Sequence, residues 1–144
     1  MSAELAAYRQ KFTKAGLTLQ CLGPLPIEKM PKFFQGLDIL IVPSRTTPSW
    51  KEQFGRVIVE AEACGVLVLG SDSGEIPKVI NAANRIFREG DNEDMASVIN
   101  YWLHRMQSLE ERLHIRQTMA KKALDNYSDI VLAEKFFTNL VKSL

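Results

Sequence analysis

The sequence has few residues of the kinds that build metal or disulfide sites. Its 144 residues include two cysteines, Cys21 and Cys64, and two histidines, His104 and His114. The cysteines lie far apart and outside any CxxC or Cys/His motif, which is typical of reduced thiols in a cytosolic protein. The histidines are separated by about 280° around a helix, so they share no face that could hold a metal ion. We therefore expect no metal.

Excess charge and long apolar runs are also lacking. The 18 Lys and Arg residues nearly cancel the 17 Asp and Glu residues, which leaves a formal net charge of +1. This balance excludes a broad field for nucleic acid or an anionic membrane. No signal-peptide pattern opens the chain, and its apolar runs are far shorter than the ~18 residues that span a bilayer. The sequence thus predicts a soluble, cytoplasmic protein without nucleic-acid partners or a transmembrane segment.

What the sequence does contain is an alternation of strand and helix patterns. Hydrophobic residues make up 46% of the chain, enough for one cored domain over residues 1–144. The apolar runs 38–43 and 66–70 predict strands covered on both faces, and helical spacing dominates about 92–144. Further elements are predicted at 2–16 (helix), 17–22 (strand), 27–35 (helix), 55–64 (helix), 75–80 (helical turn) and 85–87 (strand). This order favours an α/β fold with a parallel sheet and flanking helices.

The segment 44–65, SRTTPSWKEQFGRVIVEAEACG, places a loop between a strand and a helix. Such loops lie at the carboxyl edge of a parallel sheet, where α/β folds bind ligands. The helix start would leave the backbone N–H groups near Phe54, Gly55, Arg56 and Val57 unpaired at the positive end of the helix dipole. A phosphate group would satisfy these donors, and Arg56 would add charge. Helix starts after glycine are common, so this feature alone is a weak sign of a site.

Two glutamates on the predicted helix point in different directions. Glu60 and Glu62 are about 200° apart around the helix axis, so one of them faces inward. We expect that residue to be Glu60, in the sector of Val57 and Cys64, with Glu62 on the far side. A carboxylate among apolar neighbours needs hydrogen-bond donors. Ligand hydroxyls and a neighbouring backbone loop both remain possible donors for Glu60.

The motifs around these glutamates resemble those of one enzyme family. Glu52 and Glu60 have seven residues between them, and EQFGRVIVEAEACG is followed by VLVLGSDSGEIPKVI. Together they resemble the E-x7-E region of retaining GT-B glycosyltransferases, family 4 or group 1. DILIVPS and RIFREGD also match, so the similarity covers nearly the whole chain. The resemblance implies a Rossmann-like sheet, the C-terminal half of a GT-B fold, without the first two strands of that domain.

The resemblance also implies roles for individual residues. The family's second glutamate binds ribose hydroxyls, which assigns Glu60, and its first contacts donor-sugar hydroxyls, which assigns Glu52 to the catalytic site. CLGPLP is similar to the loop whose backbone meets the base, which points to Leu25. The amides expected to approach the sugar and the diphosphate are those of Phe54, Gly55, Arg56 and Val57. The implied substrate is a nucleoside-diphosphate sugar, with no metal or other cofactor.

The chain departs from the family pattern at several points. Glu62 stands where the family usually has methionine, which is expected to disturb packing, and Leu67 stands where proline is common. The basic pair that holds the diphosphate, the first two strands and the N-terminal acceptor domain are all absent from these residues. We therefore expect weak binding of a nucleotide sugar and no transfer by this chain alone. The missing strands predict a rearranged sheet or a homodimer through an uncovered sheet edge.

Three functions fit the motifs to different degrees. The resemblance implies transfer of a hexosyl group with retention, in a complete enzyme that is cytoplasmic or peripheral to a membrane. A catalytically inactive relative that serves as a nucleotide-binding or interaction module is the alternative, because fold does not imply function. A glycoside hydrolase is disfavoured, since eight helical residues span about 12 Å and its paired carboxylates lie ~5 to 9.5 Å apart.

Overall fold

The computed structural model describes residues 3–49 and 52–133. The chain divides into two compact units, Met1–Met30 and Pro31–Leu144. The first unit contains helix α1, Ala3–Lys14, and a 3-10 turn at Ile27–Lys29. The second unit contains nearly all the remaining elements, starting with the short helix α2, Met30–Gln35, which begins at the boundary between the units.

In the first unit, α1 ends where the sequence predicts it to end. Gly16 has a φ of +72°, the left-handed conformation that glycine adopts at low cost. The amide of Leu17 donates to the carbonyl of Phe12 at 2.9 Å and closes the last turn. Ser2, the first residue of the helix predicted at 2–16, lies outside the described residues.

The strand predicted at 17–22 is wrong. These residues are assigned to neither strand nor helix, and no strand pairs with them among the described residues. Leu17 and Leu22 are both more than half exposed. A short apolar run becomes a strand only where another strand accepts its backbone hydrogen bonds and a core covers its side chains.

The second unit is built on a parallel sheet. Strands β1 (Ile39–Val42), β2 (Leu67–Ser71) and β3 (Ile86–Phe87) lie in the order β1-β2-β3. Helix α3, Arg56–Ala63, connects β1 to β2, and helix α4, Ile76–Ile80, follows β2. Both pairings are parallel, with Ile39 opposite Leu67 and Gly70 opposite Ile86. The predicted α/β fold with a parallel sheet and flanking helices is confirmed.

The strands differ in how well they are covered. All five residues of β2 are buried, as its continuous apolar sequence predicts. In β1 the prediction of two covered faces is wrong, because Ile41 is 37% exposed. Within the described residues β1 pairs only with β2, so it is an edge strand. Among the described residues, no rearrangement of the sheet supplies a second neighbour for β1.

Two long helices follow the sheet. Asp91 caps α5, Asn92–Arg105, by accepting hydrogen bonds from the amides of Glu93 and Asp94, and Ser108 caps α6, Leu109–Tyr127. Residues 129–133 are also helical, and residues 134–144, with Phe136 and Phe137, lie outside the described part. The predicted helical segment is confirmed as far as the description reaches.

This helical segment buries only part of its apolar residues. The residues that they bury are Trp102, Met106, Ile115, Met119 and Ala123. Several leucines of this helical segment are about half exposed or more: Leu103, Leu109, Leu113, Leu124 and Leu132. Apolar residues recur on more than one side of each helix, so spacing alone does not decide which side meets the core.

Candidate functional site

The site begins where α3 starts. Gly55 is its N-cap residue, with φ +67° and ψ +49°. A Cβ atom there would lie 2.7 Å from the Cδ1 atom of Ile58, so both conformation and space favour glycine. The amide of Ile58 donates to the carbonyl of Gly55 at 2.8 Å. The glycine thus turns the loop sharply into the helix at the carboxyl edge of the sheet.

The first amides of α3 divide into two kinds. The amide of Gly55 donates to the Oε1 atom of Glu52 at 3.0 Å. For the amides of Arg56 and Val57, the described part of the chain offers no hydrogen-bond acceptor. These two N–H groups stand at the positive end of the helix dipole, where anions bind favourably. The structure thus brings together these amides, which the sequence predicts as donors to an anion, although the Gly55 amide already donates to Glu52.

Glu52 lies in a groove between the loops that follow β1 and β2. Its carbonyl accepts a hydrogen bond from the amide of Glu75 at 3.1 Å. Gly74, with φ +60°, approaches so closely that a Cβ atom would stand 2.2 Å from that carbonyl oxygen. The groove has a volume of about 690 Å³ and is lined by Thr46, Thr47, Pro48, Ser49, Glu52, Gln53 and Glu75. Its hydroxyl, amide and carboxylate groups suit a polar, hydroxyl-rich ligand.

Polar contacts join the ends of all three strands beside this groove. The hydroxyl of Ser71 donates to the carbonyl of Ser44 at 2.6 Å, which ties β2 to the loop after β1. The hydroxyls of Thr46 and Ser73 lie 2.8 Å apart. The amide of Thr46 donates to the Oε2 atom of Glu89 at 3.1 Å. The loops around the groove therefore support one another.

Glu60 lies on the exposed side of α3, so the prediction that it faces inward is wrong. Its side chain is 45% exposed and its Oε1 atom lies 3.7 Å from the Nη2 atom of Arg56. Phe54 is also exposed, and its ring meets the ring of Tyr127 edge-on at 6.1 Å. A small pocket of about 140 Å³ beside them is lined by Phe54, Arg56, Val59, Glu60, Tyr127 and Leu132.

Comparison with known proteins identifies the family. The family described as glycosyl transferases group 1 matches residues 3–122. The chain belongs to this family. A mannosyltransferase of Corynebacterium glutamicum, described as GDP-mannose-dependent, is 32% identical over 91 residues, which are 62% of this chain and 24% of the relative. The D-inositol 3-phosphate glycosyltransferase of Corynebacterium diphtheriae is 28% identical over 118 residues, 79% of this chain and 25% of the relative.

Solved structures show the same fold. HepE of Anabaena in complex with UDP has a TM-score of 0.70 and 23% identity, over 97% of this chain and 37% of that chain. Sucrose-phosphate synthase from Thermosynechococcus elongatus has a TM-score of 0.66 and 19% identity, over 99% of this chain and 36% of that chain. The chain thus has the fold of part of a GT-B glycosyltransferase, and it spans 24% to 37% of the length of these proteins.

The carboxylate that this glycosyltransferase domain buries is Glu62. Its side chain is fully buried, and its two oxygens bind the Nη1 atom of Arg85 and the Nζ atom of Lys122, each at 2.6 Å. Helix α3 turns Ile58, Ala61 and Glu62 inward, which places Glu60 outside. The sequence signal was ambiguous because both sectors of the helix contain apolar residues. Glu62 therefore does not disturb the packing, since two cations neutralise it.

Sequence reasoning missed the partners of Glu62. Arg85 also donates to the carbonyl of Ile80 at 2.6 Å, and Lys122 donates to that of Val79 at 2.9 Å. Burial lowers the pKa of Lys122, although the Glu62 carboxylate opposes this effect. The cluster joins α3, α4 and α6. Since its three side chains come from distant parts of the sequence, no local spacing could have revealed it.

Leu25, the residue predicted to meet the base, lies in the first unit and is 36% exposed. Its role stays a prediction. Across residues 3–49 and 52–133, no group of three or more His, Cys, Asp or Glu side chains could hold a metal ion. Among the helices of the described residues, none combines the length and the apolar character of a membrane span.

Proposed function

We propose that this chain is the donor-binding part of a retaining glycosyltransferase that transfers a hexosyl group from a nucleoside-diphosphate sugar. The observation that supports this most is the start of α3. There the Glu52 carboxylate, the groove and the amides of Arg56 and Val57, which have no acceptor among the described residues, lie together at the carboxyl edge of the sheet. Membership of the group 1 family makes a nucleotide sugar the class of ligand to test first.

In this proposal the diphosphate binds the start of α3. The amides of Arg56 and Val57 donate to its oxygens, and the Arg56 guanidinium, whose side chain is 79% exposed, adds a positive charge. An exposed ion pair such as that of Arg56 with Glu60 is weak, so the guanidinium can turn from the carboxylate to a phosphate. These groups stabilise the negative charge that develops on the departing nucleoside diphosphate.

The two family glutamates would bind opposite ends of the donor. Glu52 has one oxygen held by the Gly55 amide, and its other oxygen can accept a hydrogen bond from a sugar hydroxyl in the groove. Glu60 lies about one turn beyond Arg56 on the exposed face of α3, where the ribose hydroxyls can donate to it. The exposure of Glu60 supports this role, because a buried carboxylate could not reach a ligand.

The ligands of the HepE complexes and the donor of the mannosyltransferase also support a nucleotide sugar as the ligand. HepE is described with UDP, with UDP and glucose, and with UDP-glucose, and the relative is described as GDP-mannose-dependent. We propose no metal or other cofactor for this site. The acceptor would bind to a separate half of the enzyme. By itself, this chain would bind the donor without transferring its sugar.

Calorimetry with UDP, GDP and ADP tests the proposal. We expect one of them to bind, and Glu60→Gln to weaken that binding about tenfold, because a charge-assisted hydrogen bond to ribose is lost. Glu93→Gln, which changes an exposed carboxylate in the first turn of α5, is the matched control and should bind as the wild type does. No binding of any nucleotide at millimolar concentration would overturn the proposal. Equal weakening by both variants would remove Glu60 from the site.

A further inference from the structure

Glu89 connects the loops that follow all three strands. It stands just after β3, and its Oε2 atom accepts a hydrogen bond from the amide of Thr46, in the loop after β1. Its own amide donates to the Oδ1 atom of Asp72, just after β2, at 2.7 Å. Glu89 lies within RIFREGD, but the family resemblance assigns it no role, and its contacts reach residues 17 and 43 positions away in the sequence.

The contacts of Glu89 continue to Glu52. Thr46 lines the groove, and its hydroxyl lies 2.8 Å from that of the buried Ser73. Ser73 is followed by the Gly74–Glu75 turn, which packs on the backbone of Glu52 and donates to its carbonyl at 3.1 Å. A continuous set of contacts therefore leads from Glu89 to the carboxylate proposed to bind the donor sugar.

The negative charge of Glu89 strengthens its hold on Thr46. The backbone N–H of Thr46 is the largest cause that lowers the pKa of Glu89, and the hydroxyls of Thr46 and Ser73 and the charge of Arg45 act in the same direction. A carboxylate accepts a hydrogen bond from an amide more strongly than a neutral oxygen does. Asp72 accepts a hydrogen bond from the backbone amide of Glu89, and this bond does not involve the Glu89 side chain. Substitution of Glu89 should therefore leave β3 in place.

We propose that Glu89 is a positioning residue for the donor-sugar groove. Through Thr46 and Ser73 it holds the Gly74–Glu75 turn against Glu52, so that the Glu52 carboxylate keeps its place beside the start of α3. The inference rests on the proposed function for the identity of the ligand. The positioning itself concerns the protein without a ligand and can be tested separately.

Amide hydrogen exchange measured by NMR on the ligand-free chain tests the positioning. In Glu89→Ala we expect the amides of Gly55 and Glu75, which donate to Glu52, to exchange about tenfold faster than in the wild type. The buried β2 amide of Leu69 should be unchanged, and Glu93→Ala should resemble the wild type. Unchanged exchange at Gly55 and Glu75 would overturn the proposal. So would equal acceleration at Leu69, because that reports a general loss of stability.

Affinity for UDP-glucose and UDP, or for GDP-mannose and GDP, tests the consequence for binding. Glu89→Ala should remove most of the affinity that the sugar adds to the nucleoside diphosphate, while the affinity for the nucleoside diphosphate stays within about twofold. Glu89→Gln, which keeps an acceptor oxygen, should restore part of the difference. Equal weakening of both ligands would overturn a role at the sugar groove. If neither pair binds the wild type, the proposed function fails, and the exchange experiment alone decides the positioning.

Discussion

The Glu62 carboxylate is fully buried, and its ion pairs with Arg85 and Lys122 make this burial possible. Removing a carboxylate from water is costly unless nearby cations and donors replace the lost hydration. Here each carboxylate oxygen has its own cation, and each cation also binds a backbone carbonyl of α4. One glutamate therefore joins three helices.

Replacing Glu62 with methionine, the residue that the family resemblance implies at this position, should destabilise the domain. In Glu62→Met, the Arg85 guanidinium would remain buried without its carboxylate, and the expected loss is about 3 to 5 kcal/mol in the free energy of unfolding. Denaturant unfolding followed by circular dichroism measures it. Glu60→Gln, on the exposed face of the same helix, is the control and should change the stability by less than about 0.5 kcal/mol. Equal stability of Glu62→Met and the wild type would show that the cluster contributes nothing net.

The sequence predicted which residues lie near the start of α3, but it did not predict which of Glu60 and Glu62 faces inward. The motif placed Glu52, Gly55 and Glu60 around one helix start, and the structure places them there. Periodicity did not determine which side of α3 faces inward, because partners on distant elements decide it. Lys122 and Arg85 lie 60 and 23 residues from Glu62, and nothing in the local sequence announces them.

At the scale of elements, strands depend on their neighbours more than helices do. The run 66–70 was predicted correctly because β2 has a strand on each side and is buried throughout. The run 17–22 has a similar apolar character, yet it has no strand partner among the described residues. The start of α5 was predictable for the opposite reason, since its cap lies in the adjacent residues.

The cap of α5 should give the stability a defined pH dependence. The amide of Asp94, the charge of Arg88 and the amide of Glu93 lower the pKa of Asp91 below its ordinary value of 3.8, with the Asp94 amide the largest cause. A lowered pKa means that the folded state favours the ionised carboxylate. The contribution is therefore present above 3.8 and disappears as the pH falls through the lowered pKa.

Asp91→Ala should reduce the midpoint of thermal unfolding by a few degrees at pH 7, because the capping hydrogen bonds are lost. The difference from the wild type should shrink as the pH falls below 3.8. Asp91→Asn is the matched control, since asparagine caps without titrating, and its midpoint at pH 7 should lie between the other two. A constant difference between Asp91→Ala and the wild type down to the acid limit would contradict this account of the cap.

At the scale of the whole molecule, one edge of strand β1 has no neighbouring strand among the described residues. Its partner on one side is β2, and the described residues place no strand on the other. Unpaired N–H and C=O groups on an apolar edge strand favour pairing with another chain. The homodimer through this edge stays a prediction from the sequence.

Light scattering coupled to size-exclusion chromatography tests this expectation. We predict a mass of twice the chain mass at concentrations of tens of micromolar. This corresponds to a dimer dissociation constant on the order of micromolar. Ile41→Lys adds a charge at the partly exposed position of β1 and should return the protein to a monomer with an unchanged circular dichroism spectrum. A monomeric wild type at these concentrations would rule out the dimer.

The central claim is that a nucleotide sugar binds at the start of α3, and an NMR titration tests it most directly. The ¹⁵N-labelled chain would be titrated with UDP-glucose and with GDP-mannose to millimolar concentration. The account predicts saturable shifts of the Arg56 and Val57 amides, accompanied by Gly55, whose amide now donates to Glu52. Saturable binding that leaves the Arg56 and Val57 amides unshifted, or no binding of either sugar nucleotide, would contradict it.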